Sequence, residues 1–408
     1  MSNTQKKNVP ELRFPEFEGE WEEKKLGEVG TFTSGGTPLK SKSEYWNGDI
    51  PWITTGDIHN IKRENITNFI TEKGLNESSA KLITNEAILI AMYGQGKTRG
   101  MSAILNFEAT TNQACAIYQT NQNINFVFQY FQKLYEFLRS LSNEGSQKNL
   151  SLSLLKEITL NYPNEQEQKK LGDFFSKLDQ QIELEEQKLE LLQQQKKGYM
   201  QKIFSQELRF KDENGNDYPD WEKKKLGEFA GKVIQKNTDK KYTETLTNSA
   251  ELGIISQRDF FDKEISNIDN IKNYYVVAEN DFVYNPRIST YAPFGPVNRN
   301  KLGKKGVMSP LYTVFRIQSS DLNFIEFYFK SSKWYRFMAL NGDSGARADR
   351  FSIKDKTFME MPLYIPCMDE QIKIGQFFNN IDKCIKNYQS KISLLKKNKK
   401  SFLQKMFI

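Results

Sequence analysis

Histidine and cysteine are scarce in this chain. His59 is the one histidine, and Cys115, Cys367 and Cys384 are scattered with no Cys-x-x-Cys pair. A structural zinc site is therefore not expected, and the thiols fit a reducing compartment. Long apolar runs are also missing. No stretch of about 18 apolar residues could span a bilayer, and no charged start leads into an apolar stretch and a small-residue cleavage site. A soluble, unexported, cytoplasmic protein without membrane contact is expected. The hydrophobic share is low at 38%, yet aromatics reach 13%, with 29 Phe and 18 Tyr among 408 residues. That length favours two domains over one core. A net charge of +7 is compatible with a polyanionic partner, but many proteins with this balance never touch nucleic acid.

The informative feature is an internal duplication. Glu11-Leu12-Arg13-Phe14 recurs as Glu207-Leu208-Arg209-Phe210, and Trp21 to Glu28 recurs as Trp221 to Glu228 at seven of eight places. Pro163–Ser205 aligns without gaps onto Pro366–Ile408 at an offset of 203, with 17 identities in 43 positions. Glu167-Gln168, Gly172, Phe174-Phe175 and Asp179 reappear as Glu370-Gln371, Gly375, Phe377-Phe378 and Asp382. Between these frames lie two inserts, 29–160 and 229–363, that differ from one another. Each mixes β-rich runs, such as Ala87 to Tyr93 and Asp281 to Tyr284, with turn signals. Each then has an aromatic-rich helical patch (Phe126 to Leu141; Phe324 to Leu340), a polar loop, and a strand running into the Pro.

From Glu165 onward, apolar residues alternate at spacings of four and three, the seam pattern of a helix that needs a partner helix. Leu178, Ile182, Leu189 and Leu192 carry the seam in one copy, and Ile381, Ile385, Ile392 and Leu395 in the other. Glu185, Lys196 and Lys399 take polar seam positions. Each run is a helix of roughly 38 residues, about 57 Å long. If the two pack together, connectivity makes them antiparallel with a globular domain at each end. The second helix is followed by nothing, but the segment matching Gln206–Phe210 stands at 1–14. The chain reads as a circle cut once, and residues 1–20 should dock near Ile408. A coiled coil joining two unrelated domains leaves that closure unexplained.

The expected fold is α/β (α+β): two globular domains separated by two long antiparallel coiled-coil helices, with a pseudo-twofold repeat. The expected segments are 1–162, the helix 163–205, a second domain 206–365, and the helix 366–408 pairing with 163–205.

The doubled frame of Phe14-Pro15-Glu16-Phe17, Trp21, Leu26-Gly27-Glu28, Pro163, Glu167-Gln168, Phe174-Phe175 and Asp179 resembles that of type I restriction–modification specificity subunits. The first insert is similar to that family's target recognition domains in Ile50-Pro51-Trp52-Ile53, Gly56-Asp57-Ile58 and Asn112-Gln113-Ala114. The second resembles a more divergent version, in Asp281 to Asn285 and Ser309 to Tyr312. The resemblance implies a non-catalytic subunit that reads a two-part asymmetric sequence in double-stranded DNA. It implies docking to two methyltransferase subunits, which use S-adenosylmethionine to methylate adenine N6, and to two restriction subunits, which use ATP and Mg2+. It also implies association with the nucleoid and a part in host defence.

No catalytic residue and no metal ligand is assigned. Ala91 to Thr98 fits a relaxed phosphate-loop pattern, but an apolar run from Met101 to Leu105 follows where a helix would have to begin. Asn285-Pro286-Arg287 lacks the second Pro and the aromatic of the adenine-methyltransferase loop. The expected DNA-facing residues of the first insert are Tyr93, Gln95, Lys97 and Arg99, with Gln147 and Lys148 in the later loop. In the second they are Arg287, Tyr291, Arg299, Arg347 and Arg350, long side chains suited to phosphates or base edges. The eight seam residues are also the expected partner-docking positions. Lys196, Lys197, Lys399 and Lys400 read as solvent or partner contacts.

Overall fold

The computed structural model describes residues 8–94, 97–141, 150–261, 270–343 and 349–408. It divides into two compact units, one of residues 1–187 with 389–408, the other of residues 188–388.

In the first unit, β1 (Glu22–Lys25) pairs antiparallel with β6 (Thr159–Tyr162), closing the insert at its base. Inside it, β2 (Gly30–Ser34), β5 (Cys115–Thr120), β3 (Ala87–Ala91) and β4 (Ser102–Leu105) form a four-stranded antiparallel sheet in the spatial order β2-β5-β3-β4. The continuous apolar run of β3 follows from burial on both faces. Ile88 and Ile90 enter a core with Trp21, Phe32 and Phe126, whereas Ala87, Leu89 and Ala91 enter a second core with Ile53 and Ile117. Alternate side chains of a strand point to opposite faces, so such a strand shows no polar alternation. The aromatic patch forms α1 (Ile124–Lys133), capped by the Asn123 side chain accepting from Phe126 N, and then a second helix, Tyr135–Ser140.

The second unit repeats this plan. β7 (Glu222–Lys225) pairs with β12 (Pro362–Ile365), and β8 (Ala230–Lys232), β11 (Thr313–Ile317), β9 (Phe282–Tyr284) and β10 (Val297–Arg299) form a sheet in the matching order β8-β11-β9-β10. Phe282 and Tyr284 face one core and Val283 the other. The aromatic patch forms α2 (Leu322–Lys330), capped by Asp321, and a second helix, Tyr335–Asn341.

The long helices are Glu165–Phe204 and Met368–Met406. Within the first unit Asp179 meets Lys399 and Glu185 meets Lys391; within the second, Lys196 meets Asp382 and Tyr199 meets Phe377. Numbers climb on one helix as they fall on the other, so the helices run in opposite directions in each unit. Ile182 and Ile392 are buried, and Leu178, Leu189, Leu192, Ile381, Ile385 and Leu395 are half-buried.

Each unit is plugged by an aromatic residue at the C-terminal end of a long helix. Phe407 packs in the first unit against Trp21, Phe126, Tyr130 and Phe175. Phe204, its counterpart at the 203-residue offset, packs in the second unit against Trp221, Phe324, Tyr328 and Phe378. The closure expected of the sequence is present among the described residues. Leu208 N donates to Lys202 O at 3.1 Å along the continuous chain, and Leu12 N makes the same bond to Lys405 O at 2.9 Å across the break.

Candidate DNA interface

The two frames are held by the same chemistry. The Arg13 guanidinium donates through two nitrogens to the buried Glu167 carboxylate at 2.8 and 2.7 Å, and Arg209 grips Glu370 at 3.2 and 2.7 Å. A carboxylate taken out of water needs such a partner, and a two-pronged guanidinium matches its geometry. Neighbouring Gln168 donates to Pro163 O and accepts from Asn123 N; Gln371 does the same with Pro366 O and Asp321 N. Glycine follows because the helix comes close: a Cβ on Gly172 would stand 2.6 Å from Asn123 Oδ1, and one on Gly375 2.7 Å from Asp321 Oδ1. The repeated residues therefore fasten each insert to a long helix, leaving the rest of the insert surface open to variation.

In the first unit the turn after β3 exposes Tyr93 and Lys97. Lys97 O accepts from the Tyr135 hydroxyl, which ties the turn to the helix beginning there. Arg99 is half-buried and donates to the Arg139 carbonyl. The strand expected after this turn is β4, and no helix starts there. Gln95, Gln147 and Lys148 lie outside the described residues.

In the second unit Arg287, Tyr291 and Arg350 come together around an open concavity of about 810 Å³. Arg287 and Arg350 face each other as a bridge between two chain segments, with Ile288 N donating to Asp349 O and Phe351 N to Pro286 O. The Arg287 guanidinium lies 3.6 Å from the Asp349 carboxylate and stays largely exposed. Tyr291, 73% exposed, stands in the turn in which Ser289 and Ala292 bond to each other. Behind them Asn248 is buried. It donates to Val283 O and accepts from Asn298 Nδ2, while Asn285 Nδ2 donates to Asn248 O. Leu311 and Leu252 are exposed at the rim, which therefore mixes apolar groups with cations.

Arg299 is a correction. Its side chain is only 9% exposed and is spent inside the unit, on Glu326 at 3.0 Å and Asn323 Oδ1 at 2.8 Å. Burial pushes the Glu326 carboxyl up, but Lys330 and Lys301 beside it outweigh that and hold it below the usual carboxylate range. Arg347 lies outside the described residues. Lys196 and Lys399 are also corrected: each is committed to an aspartate on the opposite long helix rather than to solvent or a partner. Sequence reasoning passed over Asn248, whose spacing carries no periodic signal, and weighed Asn285 and Leu311 as parts of motifs without placing them at this concavity. Cys115 is buried, and burial with nearby Asp57 pushes its thiol up to about 12, which leaves it inert as a nucleophile. Among the described residues no three of His, Cys, Asp or Glu cluster as metal ligands, and no helix is long and apolar enough to cross a membrane.

A doubled frame thus closes two inserts whose surfaces differ. The family model for the type I restriction modification DNA specificity domain matches residues 18–194 and again 218–397, so the chain belongs to the family of type I restriction–modification specificity subunits. It is 29% identical over 225 residues to the type I restriction enzyme MjaIX specificity subunit of Methanocaldococcus jannaschii, covering 52% of this chain and 51% of that protein. It is 32% identical over 174 residues to the EcoR124I/EcoR124II specificity subunit of Escherichia coli, covering 41% and 43%. The match thus spans about half or less of either relative. The MjaVIII specificity subunit of M. jannaschii aligns over 97% of this chain and 93% of its own length at 22% identity. In fold, the chain is similar to the crystal structure of the type I system S subunit from M. genitalium, with a TM-score of 0.60, 13% identity, and coverage of 98% and 99%.

Proposed function

We propose that this chain reads a bipartite, asymmetric DNA target, one half with each unit, and contains no catalytic site of its own. The long helices act as an antiparallel coiled coil with pseudo-twofold symmetry, spacing segments 1–162 and 206–365 so that the gap between half-sites is constant. The frames and helix surfaces dock two methyltransferase subunits, which methylate one adenine N6 in each half-site with S-adenosylmethionine, and two restriction subunits that use ATP and Mg2+. In the first unit Tyr93 and Lys97 face the duplex; in the second Arg287, Tyr291 and Arg350 do, with Leu311 available to a thymine methyl group.

The observation that carries this reading is the contrast between like frames and unlike surfaces. Arg13–Glu167 and Arg209–Glu370 hold the two frames alike, and Gln168 and Gln371 hold the two inserts' helix caps alike, whereas the exposed Lys97 turn of one unit differs in kind from the arginine-edged concavity of the other. The test is to co-express the chain with methyltransferase subunits and map methylated adenines across a genome. A two-part motif with one fixed gap is expected. Methylation without any motif would sink the reading.

A further inference from the structure

Lys399 and Lys196 stand at the same place in the two copies, as do Asp179 and Asp382, and each lysine meets the aspartate of the other copy at 2.5 Å. Neither pair joins the long helices alone. Asp179 offers its second oxygen to Gln129 Nε2 at 2.9 Å, and Gln129, on α1 of the first insert, is only 1% exposed. Lys196 lies 5.3 Å from the ring centroid of Phe327, on α2 of the second insert and fully buried. Gln129 and Phe327 both stand six residues after the cap of their helix (Asn123; Asp321). The inserts contact the pair by different chemistry, a hydrogen bond in one unit and a cation over a ring in the other. The lysine–aspartate pair itself is the same. In each unit one ionic node thus joins three helices: both long ones and the insert's α1 or α2.

We infer that Lys399–Asp179 and Lys196–Asp382 are positioning residues that fix the angle at which each recognition head stands on the helix pair, and thereby the strictness of the gap between half-sites. This rests on the proposed two-part reading. A site one base pair longer shifts its second half by about 3.4 Å along the duplex and turns it about the axis, so a head accepts it only by rocking on its helices. A part-buried, charge-assisted bond has a fixed direction and so resists that rocking in a way the non-directional apolar seam around it does not.

The experiment compares wild type with Lys399→Met, Lys196→Met and Lys399→Arg, each co-expressed with methyltransferase subunits, by genome-wide mapping of methylated adenine. Both methionine variants should methylate the same two half-sites but lose about tenfold of the discrimination against gaps one base pair off. Lys399→Arg should keep the strict gap. A role in stability alone would lower the melting temperature without altering the gap. Should a methionine variant not fold, the exchange of Asp179→Lys with Lys399→Asp decides. Gln129 Oε1 is buried without a donor and can accept from the new lysine, so the exchange should restore strictness. Folded methionine variants with wild-type discrimination, or a folded exchange variant with a relaxed gap, would overturn the inference alone. A wild type that methylates no two-part motif would overturn the underlying reading as well.

Discussion

Lys97 and Arg99 look interchangeable as cations on one turn, but the fold separates them. Lys97 reaches into solvent, whereas Arg99 is half-buried against the carbonyl of Arg139. Lys97→Ala is expected to weaken DNA binding evenly across sequences and to lower the slope of log affinity against log salt by about one. Arg99→Ala is expected to act first on the melting temperature, because it removes a bond inside the unit. An unchanged slope for Lys97→Ala, measured by titrations at several salt concentrations, would mean that this lysine faces away from the phosphates. Basic residues beside predicted strands were legible in the sequence. What each one touches was not, since Arg299 finds Glu326 from a different element and no local pattern announces the pairing. Arg287, Tyr291 and Arg350 do converge, because two chain segments pair at their base.

At the scale of elements, the repeated glycines report how closely a long helix approaches an insert. Gly172→Ala or Gly375→Ala would push a methyl group into the capping side chain of α1 or α2. Each should cost about 1–3 kcal/mol, readable as a lowered melting temperature; no loss would mean that the caps move aside freely. These contacts were half legible: the duplication marked which residues matter, without saying that Gln168 and Gln371 each accept a hydrogen bond from a cap residue. The aromatic patches were legible as helical but not their breaks, at Leu134 and at Ser331–Trp334, because aromatic spacing continues across both. The helix seams stood out by their spacing. The plugs at Phe204 and Phe407 did not, since a terminal aromatic looks alike whether it is buried or frayed.

At the scale of the molecule, the division into like frames and unlike inserts makes a modular prediction. Replacing residues 29–160 with another recognition insert should change one half of the methylated motif and leave the other half and the gap alone; changes in both halves would refute modular reading. The frames were legible because the duplication is strong between 163–205 and 366–408. The division into two compact units is different in kind. It cuts both long helices, between residues 187 and 188 and between 388 and 389, because each helix end is buried in a core that its own insert does not supply.

That partition bears on the order of folding. Residues 188–388 are contiguous and leave the ribosome together, so the second unit has all its parts while the tail is still being translated. The first unit waits for Leu403, Met406 and Phe407, which complete a core otherwise made of residues synthesised far earlier. Although residues 1–187 are made before the second unit, theirs is the later of the two cores to mature, and its aromatic face stays incomplete until Phe407 has been added.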